Sequence, residues 1–390
     1  MPQMAIGLTS DQEAIRDGVA ELCRQFPGQY WRDLDREQAY PEEFVAALTE
    51  GGWLAALIPE EYGGMGLGLA DSALILQEIN RQGCNSGACH AQMYIMGTIL
   101  RHGSEEQKRR YLPAIAAGEL RLQAFGVTEP DAGSNTLALR TRADRRPDGG
   151  WLVNGQKIWT SRFAHSDLML LLARTSTPAP GERRTGGLST FLVDLREAGD
   201  SIDARPIRTL MNHATVELFI KDLALAEDAL VGEEGKGFSY ILDGMNAERI
   251  LIAAECVGDG HWFIERASAY ARERIVFERP IGQNQGVQFP LARAHAAVAA
   301  ADLMRVRAAE LFDAGLPCGP EANMAKLLAS EASWEAANAC LNTHGGFGFA
   351  EEYDVERKFR ENRLYIAAPI HNNLILAYIG QHVLGMPKSY

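Results

Sequence analysis

The sequence is poor in the features that mark secreted, membrane-spanning or metal-binding proteins. Its six cysteines are scattered over 390 residues with no CxxC pair, and Cys84 and Cys89 are spaced too widely for the usual zinc knuckle. We therefore expect reduced, mostly buried thiols and no metal site. No run approaches the roughly 18 apolar residues of a membrane-spanning helix. The first residues lack the basic start and apolar run of a secretory signal. These absences favour a cytoplasmic protein.

A basic surface and a nicotinamide-binding fingerprint are also missing. The formal net charge is −13 at pH 7, whereas general nucleic-acid binding requires a basic surface. We expect neither a nucleic-acid partner nor a membrane partner. An anionic ligand remains compatible, because a local group of cations or a helix N-terminus can hold phosphates. No G-x-G-x-x-G motif and no alternation of strand with helix occurs, so a Rossmann nicotinamide site is not expected.

The hydrophobic pattern changes twice along the chain. At 46% hydrophobic and 23% charged residues, the composition is that of an ordinary globular protein, and the length suits two or three packed units. Helical periodicity dominates residues 1–121, strand-like alternation dominates 122–232, and long alanine-rich helices follow in 233–390. We predict a mainly α fold with an inserted β domain: an N-terminal helical domain, a middle β domain and a C-terminal antiparallel bundle.

Local signals predict several element boundaries. Ser10–Glu13 reads as a capping box with a hydroxyl at the N-cap and a carboxylate three residues later. Pro41 suits the first position of a helix. Trp151–Gly155 reads as a hairpin strand followed by a turn, and 178–181 as a Pro/Gly turn. A second long C-terminal helix is expected to follow Pro290.

The stretch from Phe125 to Ser134 joins an apolar run to turn chemistry. Pro130 fixes its own φ and lacks a backbone donor, while Gly133 permits a close approach or a positive φ. Thr128 and Ser134 carry hydroxyls that both donate and accept hydrogen bonds. A strand that delivers amides and hydroxyls to a loop edge suits a planar polar ligand such as a flavin. A plain β-turn after a strand accounts for the same residues.

A second motif, Gly-Gln-Lys-Ile-Trp-Thr-Ser, runs from Gly155 to Ser161. In this order and spacing, Val-Thr-Glu-Pro-x-Ala-Gly-Ser from Val127 and Gly-x-Lys-x-Trp-x-Ser resemble the flavin-binding strands of the acyl-CoA dehydrogenase family. The likeness covers essentially the whole chain and includes Pro-Glu-Glu-Tyr-Gly-Gly-Met-Gly from Pro59. It implies that family's fold, with a middle β-barrel or sandwich and a C-terminal four-helix bundle, and it implies FAD as cofactor.

Two C-terminal segments resemble nucleotide-binding parts of the same family. Arg274-Ile-Val-Phe matches a segment whose arginine reaches the flavin pyrophosphate across a subunit boundary, a role that suits a guanidinium. Glu278 replaces the glycine expected there, and a plain surface salt bridge is the alternative for Arg274. Asn342–Phe349 resembles a Gln-x-x-Gly-Gly-x-Gly loop, with Asn342 in place of the glutamine.

The resemblance implies a set of flavin contacts and a set of partners. The implied flavin contacts are Phe125, Val127, Thr128, Gly133, Ser134, Trp159, Thr160, Ser161, Arg274, Phe277, Asn342, Gly345, Gly346, His371 and Asn373. The implied partners are an acyl-CoA substrate, an electron-transfer flavoprotein, and further copies of the chain in a homotetramer or homodimer.

One position departs from the family pattern. Counted from Arg360, Pro369 occupies the place of a glutamate that removes the substrate α-proton in many members, and proline supplies neither a carboxylate nor an N–H. In members that resemble isovaleryl-CoA dehydrogenase, the glutamate lies on the long helix that opens the C-terminal bundle, where this chain has Glu248. We predict Glu248 as the base, activated by desolvation. The alternative is a solvated or salt-bridged helix glutamate. The substrate contacts implied are Ser134, Met245 and Arg249.

These residues together predict a FAD-dependent acyl-CoA dehydrogenase that converts an acyl-CoA to a 2-enoyl-CoA and passes electrons to an electron-transfer flavoprotein. Pro369 also motivates an alternative, a flavoenzyme of the same fold with altered chemistry, such as an oxidase, a monooxygenase or a desulfinase-type enzyme. A non-catalytic flavin- or acyl-CoA-binding protein is the third possibility. The donor that replaces the lost amide at position 369 is left open between Ile370 and His371.

Overall fold

The computed structural model describes residues 7–178 and 185–388. Within them the chain forms two compact units. The first contains residues up to Glu37, Gly68–Ser86 and the residues from Asn246 onward, and the second contains Gln38–Leu67 and Gly87–Met245. The predicted turn at 178–181 lies mostly outside the described residues. The division of the chain at 121 and 232 stays a prediction about its domains.

Helices precede and follow a continuous β region. The helices are α1 (Ser10–Cys23), α2 (Gly28–Glu37), α3 (Glu42–Glu50), α4 (Leu69–Arg81), α5 (Gly87–His102), α6 (Glu105–Ala116), α7 (Gly237–Glu273), α8 (Gln285–Asp313), α9 (Gly319–His344), α10 (Val355–Asn362), α11 (Leu364–Ala367) and α12 (Asn372–Tyr378). The order helices, strands, helices confirms the predicted mainly α fold with an inserted β domain.

An eight-stranded sheet lies in the second unit. Its strands are β1 (Leu122–Gly126), β2 (Arg142–Arg145), β3 (Trp151–Ser161), β4 (Leu168–Arg174), β5 (Leu188–Asp194), β6 (Ile202–Pro206), β7 (Thr215–Leu225) and β8 (Leu230–Val231). Their order is β6-β7-β3-β2-β4-β5-β8, and β1 pairs in parallel with β4. The sheet therefore brings the end of β1 into the same unit as β3, although the two belong to separate sequence motifs.

Strand β4 shows how the sheet is buried on both faces. Successive side chains of a strand point to opposite faces. Leu168, Leu170 and Leu172 belong to one apolar cluster, which also contains residues of α5 and α6. Met169 and Leu171 belong to a second cluster, together with side chains of β3, β5 and β7. Because both faces are covered, β4 reads as a continuous apolar run rather than an alternating one.

Long helices dominate the first unit. Within α7, α8 and α9, alanine and glycine permit close helix approach. At Gly260 of α7, an added Cβ would lie 2.6 Å from Cγ2 of Val298 on α8, so a larger residue would require the Val298 side chain or its helix to shift. A two-stranded hairpin, β9 (Ile275–Val276) with β10 (Arg279–Pro280), connects α7 to α8.

The structure corrects four local predictions. The N-cap of α1 is Thr9 with Gln12 as its capping-box partner, one residue before the predicted Ser10–Glu13 box. Pro41 is the N-cap of α3 rather than its first residue. Pro290 lies inside α8, which begins at Gln285. Gly155 does not form a turn, since β3 continues through it. The glycine is needed because the backbone of Thr141 passes so close that an added Cβ would lie 2.4 Å from the nearest Thr141 atom.

All six cysteines are free and buried, which confirms the expectation of reduced, buried thiols. Their burial leaves them as small apolar side chains of the core. Among the residues that the structure describes, no helix combines the length and apolar character needed to cross a membrane.

Candidate functional site

The segment that follows β1 forms a tight polar turn in the second unit. Glu129 and Ala132 exchange backbone hydrogen bonds around Pro130, at 3.3 and 3.0 Å. The carbonyl of Thr128 accepts from the amide of Ile158 on β3 at 2.9 Å. The predicted β-turn is therefore present, and it is bonded to the strand that carries the second motif. Beyond it, Gly133 and Ser134 are exposed.

A buried ion pair holds this turn in place. Lys157 of β3 is fully buried, and its Nζ donates to Oε1 of Glu129 at 2.9 Å and to the carbonyl of Val127 at 3.1 Å. The Glu129 carboxylate also accepts from the amides of Arg140 (2.6 Å) and Thr141 (2.9 Å). Each carboxylate oxygen thus has a partner, which is the condition under which a buried charge is tolerated.

The two charges influence each other's protonation. Burial lowers the pKa of Lys157 to about 8, and the Glu129 carboxylate partly offsets that fall. Burial alone raises the pKa of Glu129, but Lys157 and the hydrogen bonds from Thr141 and Arg140 outweigh it, so its net pKa lies below the usual value. At neutral pH both groups are therefore charged.

The second motif ends in a β-bulge that redirects a tryptophan. Pairing between β3 and β7 shifts register between Lys157 and Thr160, and Trp159 takes a φ of 63°. A bulge of this kind re-aims a side chain. The Trp159 side chain is 56% exposed, whereas Thr160 is fully buried and its Oγ1 has no hydrogen-bond partner among the described residues. Ser161 is half-buried at the end of the strand.

These residues fit the planar polar ring that the resemblance implies. The amides of Thr128, Gly133 and Ser134 donate to no backbone acceptor in the part of the chain described. Phe125 and Val127 supply partly and fully buried apolar surface beside them. The buried Thr160 hydroxyl has no protein partner among the described residues, which is costly in isolation. Together with the exposed Trp159 ring and the free amides, it offers chemistry that a flavin ring with donors and acceptors along its edge fits.

A separate pocket of about 540 Å³ lies in the first unit. It is lined by Tyr270, Arg274, Val276, Ile281, Thr343, His344, Gly345, Gly346 and Phe347. The Arg274 guanidinium lies 5.5 Å from the centre of the Phe347 ring, and the Tyr270 and His344 rings stack at 4.3 Å. Burial lowers the pKa of His344, which keeps the ring neutral at pH 7. Arg274 is then the cation of a pocket whose other lining residues are uncharged.

The structure brings only part of the predicted nucleotide set to this pocket. Arg274, Gly345 and Gly346 line it, and an added Cβ at either glycine would meet no atom within 4 Å. Asn342 and Phe277 are exposed and do not line it. Phe277 is 93% exposed at a φ of 51° in the β9–β10 turn. The open space beside a guanidinium fits an anionic or aromatic ligand group.

Glu248 is buried in the first unit. Its side chain on α7 is only 6% exposed, which argues against the solvated alternative. The next residue, Arg249, donates from Nη1 to Oδ1 of Asn246 at 3.1 Å. Burial lowers the pKa of Arg249, and Glu248 acts in the opposite direction. Met245, the remaining α7 residue of the predicted set, is half-buried and packs against the apolar core of the second unit.

The segment from Pro369 to Asn373 is attached to the core of the first unit by a lysine that the sequence analysis did not single out. Lys326 of α9 is fully buried, and its Nζ donates to the carbonyl of Ile370 at 2.9 Å and to Oδ1 of Asn372 at 2.7 Å. The predicted residues His371 and Asn373 are exposed, and the amide of Asn373 donates to Nδ1 of His371 at 3.1 Å.

Lys326 also lies near the predicted base. Burial lowers its pKa to about 8; the Cys256 thiol, Glu331 and Glu248 raise the pKa, and Arg249 lowers it. Sequence reasoning missed both Lys326 and the Lys157–Glu129 pair. Lys157 and Glu129 are both part of the two quoted motifs, so the sequence could have indicated them. For Lys326 the only indication was its position in an apolar, alanine-rich helix, where a buried lysine is rare.

Comparison with known proteins agrees with this geometry. Models of the acyl-CoA dehydrogenase N-terminal, middle and C-terminal domains match residues 9–119, 124–223 and 235–368. Acyl-CoA dehydrogenase FadE12 of Mycobacterium tuberculosis is 35% identical over 385 residues, which are 98% of this chain and 98% of that protein.

Solved structures show the same fold. The glutaryl-coenzyme A dehydrogenase glutaryl-CoA complex superposes with a TM-score of 0.91 at 30% identity, over 99% of this chain and 98% of that one. The prolyl acyl carrier protein oxidase AnaB superposes with a TM-score of 0.89 at 25% identity, over 97% of this chain and 100% of that one.

Proposed function

The chain belongs to the acyl-CoA dehydrogenase family of oxidoreductases, and from that premise we propose that it oxidises an acyl-CoA thioester to the 2-enoyl-CoA with FAD as cofactor. The observation that carries the proposal is the burial of Glu248. A carboxylate shielded from water on α7, in a chain whose position 369 is a proline, is suited to act as a base. Family relatives dehydrogenate different acyl groups, so the chain length and branching of the substrate are not part of the proposal.

Glu248 takes the proton from Cα of the thioester, and the resulting carboxylic acid holds it on one side-chain oxygen. Loss of that proton and of a hydride from Cβ leaves the Cα–Cβ double bond. FAD, when bound, would supply the acceptor for the Cβ hydride. Arg249, next to Glu248, supplies a fixed cation that favours the ionised carboxylate before the proton moves. Ser134, Met245 and Arg249 are proposed to contact the acyl-CoA.

We assign the flavin ring to the segment after β1 and to the end of β3. Thr128, Gly133 and Ser134 offer amides, Trp159 a ring face, and Thr160 and Ser161 hydroxyls. Phe125 and Val127 supply the apolar border. The Arg274 pocket, with Gly345 and Gly346, is proposed to take the nucleotide end of a FAD molecule. Phe277, Asn342, His371 and Asn373 are proposed to complete that contact.

Assembly and electron transfer complete the proposal. Phe277 is 93% exposed, and Ile275 and Val276 beside it are also exposed, which is an unusual cost for a hairpin in water. We propose that this hairpin is covered by a second copy of the chain in a homotetramer or homodimer. An electron-transfer flavoprotein is the proposed acceptor of the two electrons.

The test is anaerobic titration of the purified flavin-loaded protein with acyl-CoAs of graded length and branching. Bleaching of the visible flavin band with at least one of them is the expected result, and Glu248→Gln should slow bleaching by at least about 100-fold, in the range typical of general bases, while retaining the flavin. Glu310→Gln, which alters an exposed glutamate of α8, is the matched control. An active Glu248→Gln protein would refute the assignment of the base.

A second candidate function is oxidation with molecular oxygen as acceptor. The departure at Pro369 favours it, because that residue changes the surroundings of the thioester, and one structural relative is an oxidase by its name. Rapid reoxidation of the substrate-reduced protein by air, with hydrogen peroxide formed in equal amount, would support it. Binding of CoA esters without bleaching at any chain length would instead favour a non-catalytic binding protein.

A further inference from the structure

The peptide between Ile370 and His371 has a fixed direction. Its carbonyl accepts from Nζ of Lys326, which is fully buried on α9. Asn372 reinforces the attachment, because its side chain is buried and bonded to both Lys326 and Ser330. The carbonyl therefore points into the core. The only cis peptide in the described residues is Ala368–Pro369, so the Ile370–His371 peptide is trans and its N–H points the opposite way.

The His371 amide is consequently presented away from the core with no partner. His371 is exposed, and its backbone N–H donates to no acceptor among the described residues. The ring Nδ1 accepts from the amide of Asn373 and caps α12, so Nε2 carries the ring proton. Of the two donors that His371 offers, the backbone amide is the one whose direction is set by the hydrogen bond of its own peptide to Lys326. Pro369, two residues earlier, has no N–H to offer.

The proposed reaction needs such a donor. Removal of an α-proton moves negative charge onto the thioester oxygen, and a fixed donor at that oxygen lowers the barrier. Lys326 links the two groups, because it holds the Ile370 carbonyl and lies within electrostatic reach of Glu248 and Arg249. One buried lysine thus bonds to the peptide that carries the unbonded amide and experiences the charge of the predicted base.

We propose that the backbone amide of His371 donates a hydrogen bond to the thioester oxygen of the acyl-CoA, and that Lys326 is the positioning residue that orients this amide. The inference rests on the proposed function, since it names a further group of the same site. Lys326 does not touch the substrate; it acts by holding the carbonyl on the other side of the same peptide.

The sequence permits a direct observation of this amide. Ile-His occurs once in the chain, at 370–371. Labelling with ¹³C-carbonyl isoleucine and ¹⁵N-histidine therefore gives one amide–carbonyl correlation in an NMR spectrum, that of His371. Saturating the flavin-loaded protein with a 2-enoyl-CoA should move the His371 proton downfield. An unmoved signal, with binding established by calorimetry, would overturn the proposal. In the same titration, the His371 signal of Lys326→Met should not shift, and that of Lys326→Arg should shift in part. A full shift in Lys326→Met would show that Lys326 does not position the amide.

Substitution provides the second measurement. His371 has a φ of −60°, which proline adopts without strain. His371→Pro removes the N–H together with the ring, while His371→Ala removes the ring and its cap but keeps the N–H. We expect His371→Pro to lower kcat for flavin reduction 100- to 1,000-fold relative to His371→Ala, with little change in KM. Equal rates in the two variants would overturn the proposal.

The two proposals fail in different ways. If no acyl-CoA reduces the flavin but the His371 signal still moves with 2-enoyl-CoA, the proposed dehydrogenation fails and the assigned hydrogen bond stands. If the flavin is reduced while the signal stays in place and His371→Pro matches His371→Ala, the dehydrogenase assignment stands and the donor is another group.

Discussion

Two polar segments of this protein are each held by one buried lysine, and the lysines are held differently. In the second unit, Lys157 fixes the turn after β1 through a carboxylate, Glu129, at 2.9 Å. In the first unit, Lys326 fixes the Pro369–Asn373 segment through neutral oxygens of Ile370 and Asn372. The first segment matches the family motif, and the second departs from it at Pro369.

The two attachments differ in how much free energy is lost when one partner is removed. A buried carboxylate depends on its cation, because losing one partner leaves an unpaired charge in the interior. A buried carbonyl or amide oxygen that loses its donor costs less, because it carries no net charge. The turn after β1 therefore depends on both charges of the Lys157–Glu129 pair, whereas the segment held by Lys326 depends on hydrogen bonds to two neutral oxygens.

The largest effect should come from Lys157→Met. It leaves Glu129 buried without a cation, so we expect the free energy of unfolding to fall by about 3–5 kcal/mol. Urea denaturation at pH 7, followed by tryptophan fluorescence, measures it. Lys221→Met, which alters an exposed lysine of β7, is the matched control and should change little. A loss below about 1 kcal/mol, the value typical of a surface pair, would show that Glu129 does not depend on Lys157.

Adding Glu129→Gln sharpens this result. The double variant Glu129→Gln/Lys157→Met carries no unpaired buried charge. It should therefore be more stable than Lys157→Met alone, by about 1 kcal/mol or more, within the range of coupling energies between residues in contact. A double variant less stable than Lys157→Met would contradict the ion-pair account.

A smaller effect is expected for Lys326→Met. The change leaves the Ile370 carbonyl and the Asn372 side-chain oxygen without their ammonium donor, which should cost about 1–3 kcal/mol. The same urea titration measures it, with the exposed Lys388→Met as control. A loss as large as that of Lys157→Met would abolish the distinction between a charged and a neutral attachment.

The most gradual effect is a dependence of stability on pH that both lysines share. Burial lowers each pKa from 10.5 to about 8, so between pH 8 and 10.5 the unfolded chain binds more protons than the folded one. Stability contributed by each lysine therefore rises with pH across that window, by at most about 1.4 kcal/mol per pH unit.

The contribution of Lys326 to this pH dependence is isolated by measuring the free energy of unfolding of the wild-type protein and of Lys326→Met at pH 7, 8, 9 and 10. The groups acting on Lys326 are Cys256, Arg249, Glu331 and Glu248. Burial raises the pKa of Cys256 well above its usual value, so that thiol stays neutral in the window. The stability difference between the two proteins should grow from pH 8 upward. A difference that is flat or falls with pH would contradict the lowered pKa.

Much of the flavin segment was predictable because its signals are local. Pro130 and Gly133 specify a turn whatever lies around them, and the two motifs lie close together in the chain. Gly155 shows the limit of the same reasoning. A glycine in a polar stretch indicates a turn, yet here it serves the close approach of Thr141 to a continuous strand. Whether a glycine forms a turn or makes room for a neighbouring strand depends on a residue that is close in space, and the local sequence does not identify that residue.

The sequence by itself determined the order of helices and strands, the buried thiols and the departure at position 369, since each follows from side-chain type and spacing along the chain. Only the tertiary structure decided what holds the polar segments. Lys326 meets Ile370 across 44 residues and Lys157 meets Glu129 across 28. The local sequence around a buried lysine does not name its partner, because burial of the charge is tolerated only where the fold brings the right oxygen within reach.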